Sequence, residues 1–327
     1  MPYDNVITRS DAAALIPEEV SNELLANVAG TNPLMQLARR LANMSRNQKR
    51  MPVMSALATA YFVDNAAGVA PGLKQTAEVN WANKYIDAEE VAAIVPIPES
   101  VLDDADYDIW GQVRPELEKA FSLLITQAVL YGTSIPASWT TNMGAAGLLA
   151  GATASGHVIS AAAYADLYEA ILGEDAALTP GLFMLPEADG FMVTGNLAHM
   201  SMKGKLRNTR DANGQPIFKS TMQAPTSYEL DGTPIFFPDD GSIVSASSLL
   251  ISGMWSQLVY AMRQDVTYKI LDQAVIQDAS GEIVYNLAQQ DMVALRAVMR
   301  LGFALPNPIN RMNATAATRF PFGVLTA

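Results

Sequence analysis

The stretch Asp106–Gly132, DYDIWGQVRPELEKAFSLLITQAVLYG, constrains this chain more than any other. Apolar residues fall at Ile109, Val113, Leu117, Phe121, Leu124, Ile125, Ala128 and Val129, one face of a helix at 3.6-residue spacing. A helix over residues 106–131 would reach about 39 Å at ~1.5 Å per residue, against roughly 11 to 12 residues for an ordinary globular helix. Something large has to pack along it. Pro115 is the weak point: its ring removes a backbone donor and clashes one turn back, so the helix either bends there or begins there. Gly132 supplies the stop.

At 327 residues the chain has room for two domains, or for one with long excursions. Only 17% of its residues are charged and 50% are apolar, so part of its surface is expected to be buried by partners. The net charge of -12 argues against broad nucleic-acid affinity. With no cysteine, disulfides, thiolate metal sites and cysteine nucleophiles are excluded. The start lacks a basic region followed by an apolar run, and no apolar stretch reaches the ~18 residues of a membrane span. A soluble, unexported protein is the expectation.

Along the chain, residues 1–15 read as an arm, followed by a helix over Ile16–Ala26 and a second over Pro33–Leu41. Arg39, Arg40, Arg46, Lys49 and Arg50 follow with no acid among them. They form either a solvated basic face or a contact to an acidic neighbouring subunit or to nucleic acid. Residues 51–63 and 77–98 then read as the arms of a long antiparallel hairpin, with Trp81 in the alternating part and Lys74 near the Gly/Pro-rich tip. So little core suits a hairpin that lies on a neighbour. Asp103, Asp104, Asp106 and Asp108 lead into the long helix, where carboxylates favour the helix start; they lack the glycine turn and terminal glutamate of a calcium loop.

Residues 133–156 read as a polar connector, and a new unit begins near His157 with a helix closed by Gly173. A strand over Phe191–Thr194 should precede a helix starting near Asn196. Asn213–Gly214 marks a turn, Leu230–Pro238 a turn into a strand, and 249–252, 257–262 and 282–285 further strands. Met292, Leu295, Val298 and Met299 fall at helical spacing, which would set Arg296 and Arg300 one turn apart. Residues 310–327 read as a loosely packed tail or a last strand.

Catalysis has little to stand on. His157 and His199 are the two histidines, in separate segments, and read as surface or turn residues. No nucleophile elbow, phosphate loop, dinucleotide fingerprint or zinc-protease motif is present. The weight moves to a scaffold role with no cofactor or metal.

The order of elements resembles the major capsid proteins of tailed bacteriophages, whose shell fold is shared with encapsulins and the herpesvirus capsid floor. The matching segments are Phe191-Met-Val-Thr-Gly-Asn196, Arg210-Asp-Ala-Asn-Gly-Gln-Pro-Ile-Phe218, Leu230-Asp-Gly-Thr-Pro-Ile235, Ser252-Gly-Met-Trp-Ser256 with Arg263 downstream, and Gln290–Arg300. The resemblance implies an α+β fold with an N-terminal arm (1–50), an extended loop (51–95), a peripheral domain (96–154 and 261–327) built on a spine helix (106–131), and an axial domain (155–260). It further implies hexamers and pentamers of the chain in an icosahedral virion shell around double-stranded DNA, assembled in the host bacterial cytoplasm. A separate scaffolding protein, a portal and a cement or decoration protein would be the partners.

Inter-subunit contacts would then fall on Arg39, Arg40, Arg46, Lys49, Arg50, Lys74, Trp81, Asp103, Asp104 and Asp106, and a spine-helix bend on Pro115. Some members weld subunits through a loop lysine, an asparagine and a glutamate. Lys74 suits the first, but Leu287 and Ala294 stand where the other two would be, so no crosslink is expected. An encapsulin-type shell around cargo enzymes is the nearby alternative, and a hydrolase without a recognisable motif the distant one.

Overall fold

The computed structural model describes residues 33–60, 76–104, 108–174, 179–210 and 229–327. A short helix α1 (Pro33–Leu37) leads to strand β1 (Arg39–Arg40), and β2 (Gln48–Ala56) pairs with β3 (Asn80–Asp87) as an antiparallel hairpin. Then come β4 (Glu89–Pro98), α2 (Glu99–Asp104), the long helix α3 (Ile109–Tyr131), α4 (Ala137–Met143) and α5 (Leu148–Ser155). The next unit holds β5 (Val158–Ser160), α6 (Leu167–Leu172), the short pair β6 (Gly173–Glu174) and β7 (Thr179–Pro180), α7 (Met184–Ala188), β8 (Gly195–Ala198) and α8 (Met200–Asn208). It continues through β9 (Glu229–Leu230), β10 (Thr233–Phe236) and β11 (Leu250–Gly253). The chain closes with β12 (Val259–Leu271), β13 (Val275–Gln277), β14 (Ile283–Asn286), β15 (Met292–Ala304) and β16 (Phe322–Thr326).

Two sheets organise these elements. A four-stranded sheet has the order β1-β12-β15-β4, and a six-stranded one the order β5-β16-β11-β8-β10-β9. Helix α3 lies against the first sheet: Leu117, Phe121, Ile125 and Val129 share one core with Leu295, Ala297, Met299 and Phe303 of β15. That core continues onto one face of the second sheet through Leu197, Ile251 and Val324. The other face of the second sheet packs Ala198, Leu250 and Leu325 against Ile171 of α6 and Met202 of α8. Sheet and helix are segregated, the α+β class the sequence implies.

The long helix begins at Ile109 rather than Asp106, with the Asp108 carboxylate accepting from Gly111 N at 3.0 Å as its N-cap. It runs unbroken through Pro115, so the proline does not start it. Gly132 closes it in the left-handed conformation at φ 73°, and a Cβ there would sit 2.3 Å from the Ala146 carbonyl oxygen. Leu124, placed on the apolar face by its spacing, is exposed.

Four other expectations change. Residues 137–155 are not a connector: α4 and α5 pack into the core, with Trp139 edge-on to Phe303 at 5.2 Å and its indole N–H donating to Asp87 O at 3.2 Å. Their Ala/Gly/Thr content hid two short helices that tertiary contacts stabilise. Residues 191–194 lack regular structure, and the strand and helix each start about four residues later, with His199 as the helix N-cap. The second hairpin arm divides at Ala88, so that residues 89–98 leave the hairpin and pair with β15 from Glu89↔Leu301 to Pro98↔Met292. Of the two readings of residues 310–327, the last strand holds and the loose tail does not: residues 320–325 are buried, with β16 between β5 and β11 in its sheet.

The largest correction is the segment 292–304. It is a thirteen-residue strand, not a helix, although Ala, Leu, Met and Arg favour helix locally. Placed between β12 and β4, it has buried residues on both faces, and a run that is apolar on both sides satisfies either period. Gly302 allows the close approach: a Cβ there would lie 2.3 Å from Asp87 O. Arg296 and Arg300 therefore share a sheet face, and Arg300 reaches Glu90 at 3.9 Å and Asn47 Oδ1 at 3.0 Å.

Candidate inter-subunit surface

The β2–β3 register sets Gln48, Arg50, Pro52 and Met54 opposite Asp87, Tyr85, Asn83 and Trp81. Directly opposed residues point to the same side of an antiparallel pair. One face of the hairpin therefore carries Met54, Trp81 and Tyr85, exposed at 40%, 68% and 39%. On the other face Lys49, Met51, Val53, Ala82 and Lys84 are half-buried, and Ile86 is fully buried with Met44, Val259, Ala261 and Ala304. That cluster anchors the hairpin root to the sheet. Among the described residues nothing covers its outward face in this way.

The basic residues gather near this root. Arg39 and Arg40 are exposed on β1, which runs parallel to Val259 and Tyr260, and the next residues follow β12 as Met44 N donates to Met262 O at 2.8 Å. The Arg40 guanidinium donates to Asn43 Oδ1 at 3.2 Å, and Lys49 Nζ to Ala42 O at 3.0 Å. Arg46 and Arg50 are exposed. The five bases thus lie on β1, on β2 and on the segment that joins them.

Asp103 and Asp104 are exposed on α2, at the opposite end of the four-stranded sheet, where Pro98 pairs with Met292. Among the described residues neither forms an ion pair with a base. Asp106 and Lys74 lie outside the described residues. Pro115 is exposed on the first half of α3. Near it the Arg114 guanidinium lies over the Tyr268 ring at 5.6 Å, and the Tyr268 hydroxyl donates to Glu118 at 2.7 Å. Burial, with Glu118 adding to it, pushes that hydroxyl up to about 12.

The sequence missed a buried polar network. His157 is buried, not a surface residue, with Nε2 at 3.3 Å from Asp189. The Asp189 carboxylate accepts from Phe320 N and Asn313 Nδ2, each at 2.7 Å. Arg319 donates to both Asn307 O and Asn307 Oδ1 at 3.0 Å and to Asn313 O at 2.8 Å. Burial lowers the His157 pKa below its ordinary value against the opposing pull of Asp189. The signal that could have found this network is the asparagine-rich run Asn307–Asn313 before Arg319. It ties the chain entering β16 to the rest of the fold.

Among the described residues, no cluster of acids and histidines could hold a metal ion, and no helix is long and apolar enough to cross a membrane. What stands out is a surface: an uncovered apolar hairpin face, a basic root and an acidic far end. The chain belongs to the Phage capsid family, whose model matches residues 12–310. It is 24% identical over 308 residues to the major capsid protein of Staphylococcus phage 80alpha, covering 91% of this chain and 84% of that one. A solved chain of Microbacterium phage Oxtober96 is 31% identical with a TM-score of 0.80, covering 98% of this chain and 99% of that one. One of Mycobacterium phage Adephagia is 29% identical with a TM-score of 0.79, covering 98% of both. The capsid chain of a native GTA particle, at 17% identity and a TM-score of 0.63, shows the shared fold alone.

Proposed function

We propose that this chain is the major shell subunit of a tailed bacteriophage, forming hexamers and pentamers of an icosahedral capsid around double-stranded DNA. The observation that carries the reading is the hairpin face with Met54, Trp81 and Tyr85 in water, on a chain of the phage capsid family. Large apolar side chains held on one regular face mark a contact surface. Heterologous contacts between identical subunits close when symmetry returns the surface to its start. The family match favours this reading over an enzyme shell.

Arg39, Arg40, Arg46, Lys49, Arg50, Lys74 and Trp81 would meet neighbouring copies, and Asp103, Asp104 and Asp106 supply opposite charge. Residues 1–50 serve as the arm, 51–95 as the extended loop, 96–154 with 261–327 as the peripheral domain and 155–260 as the axial domain. Residues 89–95, although paired in the sheet, mark where loop and sheet join, and β16, although within 261–327, pairs with β5 and β11 of the 155–260 unit. Pro115 is the place where α3 bends between environments. A scaffolding protein, a portal and a cement protein complete the particle, which assembles in the host cytoplasm and ends as a virion.

Sedimentation followed by electron microscopy of the purified chain, alone and co-expressed with a scaffolding protein, tests the reading. Closed particles are expected. A chain that stays monomeric under every condition overturns it.

A further inference from the structure

Between β12 and β15 the chain folds as the ribbon β13–β14, and this ribbon leaves apolar side chains in solvent. Ile283 is 63% exposed, and Val275, Val284 and Tyr285 are exposed with it. Ile276 pairs with Tyr285 and Gln277 with Ile283, so a bulge takes Val284 out of the ladder. A two-stranded ribbon is marginal in water by itself. This one is nevertheless prebuilt. Asp278 Oδ1 accepts from Ser280 N, Ser280 Oγ and Glu282 N at 2.8–2.9 Å, and at the root Leu287 N donates to Ala274 O at 3.1 Å. Exposed carboxylates rim it: Asp272, Asp278, Glu282 and Asp291.

The complement to this surface lies on the same molecule but out of its reach. Arg46 and Arg50 are exposed at the hairpin root, and Tyr85 stands opposite Arg50 on the uncovered face. Strand β15 runs from Met292, beside the ribbon, to Ala304, beside the root. Thirteen residues at ~3.3 Å each make this strand about 40 Å long. Among the described residues the ion pairs are Lys119–Glu116, His157–Asp189 and Arg300–Glu90; the last borders the root, where Arg300 also donates to Asn47 Oδ1 at 3.0 Å, and none includes Arg46, Arg50 or a ribbon carboxylate. An acidic, apolar end and a basic, apolar end of one rigid sheet meet only between copies. Ribbon against ribbon would instead bring carboxylates together.

We propose that the β13–β14 ribbon of one copy docks on the basic hairpin root of a second copy, Ile283 and Tyr285 packing against the face of Tyr85 while Asp272 and Glu282 face Arg46 and Arg50. The inference rests on the shell-subunit reading and names one contact within it. Burial of the apolar residues supplies the attraction, and the charges set the register and weaken with salt.

Three full-length variants test it: Asp272→Arg with Glu282→Arg, Arg46→Glu with Arg50→Glu, and all four together. Each pair should cut the sedimenting fraction at low salt about tenfold, and the fourfold variant should return it to within about twofold of the wild type. Because the chain has no cysteine, a Glu282→Cys chain mixed with an Arg46→Cys chain should give a disulfide-linked dimer absent from either chain alone. If the wild type assembles and the ribbon reversal assembles equally well, the contact is overturned and the shell reading stands. Failure of the fourfold variant to recover also overturns it, assigning the ribbon to another partner. A wild type that is monomeric at every ionic strength overturns both.

Discussion

Strand β15 buries most of its thirteen residues on both faces, whereas hairpin β2–β3 leaves alternate residues of both strands in solvent. Both are antiparallel, and both carry large apolar side chains. Phe303 of β15 is fully buried, stacked on Tyr260 at 5.6 Å and edge-on to Trp139 at 5.2 Å. Trp81 of β3 is mostly exposed. The difference lies in what covers each: β15 is flanked by β12 and β4 and backed by α3, while the hairpin's outer face has nothing of its own chain above it among the described residues. One region is completed by folding, the other by association.

That contrast breaks most sharply at Phe303. Phe303→Ala should destabilise the subunit by about 3–5 kcal/mol, read by chemical denaturation, because the transfer loss and the cavity add. A loss under about 1 kcal/mol would mean the core around β15 collapses to fill the gap.

Asp189→Ala comes next, at about 1–3 kcal/mol for each donor left without a partner, here Phe320 N and Asn313 Nδ2. The same site gives a pH dependence. The His157 imidazole has a folded pKa below its unfolded value of about 6.5, so the unfolded chain binds more protons as the solution turns acid. Its stability contribution is complete above pH ~6.5 and is lost as pH falls from there toward the lowered folded value. Denaturation midpoints of wild type and His157→Gln measured from pH 8 downward should converge below about pH 6.5; parallel curves would show that His157 does not titrate differently on folding.

Asp108→Ala, at the solvent end of α3, should cost about 1 kcal/mol through the lost N-cap. Thermal melting detects it. Trp81→Ala should have the smallest effect on the subunit, within about 0.5 kcal/mol, and yet lower the yield of assembled particles. Equal particle yield from the Trp81 variant would remove the hairpin face from the contact surface and erase the comparison with β15.

Much of this fold was legible in one dimension. The long helix, its stop at Gly132, the turn at Asp231–Gly232 into β10 and the hairpin with Trp81 on an edge all follow from local rules: period, caps and left-handed turn residues. The basic segment was legible as composition, but its clustering at the hairpin root depends on β1 pairing with β12. The His157–Asp189 network was not legible, because it depends on which distant segments become neighbours; the acidic ribbon is a local hairpin, and what could not be read was that its apolar side chains stay exposed. Asp103 and Asp104 precede the long helix in the chain itself, whereas Asp272 and Glu282 draw notice only because the fold leaves Val275 and Ile283 exposed beside them.

By itself, the sequence determined a mixed chain with one long helix, a poorly cored hairpin, no thiol chemistry and a surface short of charge. Only tertiary structure decided that residues 292–304 are a central strand, that residues 137–155 hold core helices, and that the acidic ribbon and the basic root lie toward opposite ends of that strand. Local propensity contributes tenths of a kcal/mol per residue, whereas burying one large apolar side chain contributes about 1.5–3 kcal/mol. Where the two disagree, as at β15, burial wins, and burial is a property of the neighbours that the fold provides.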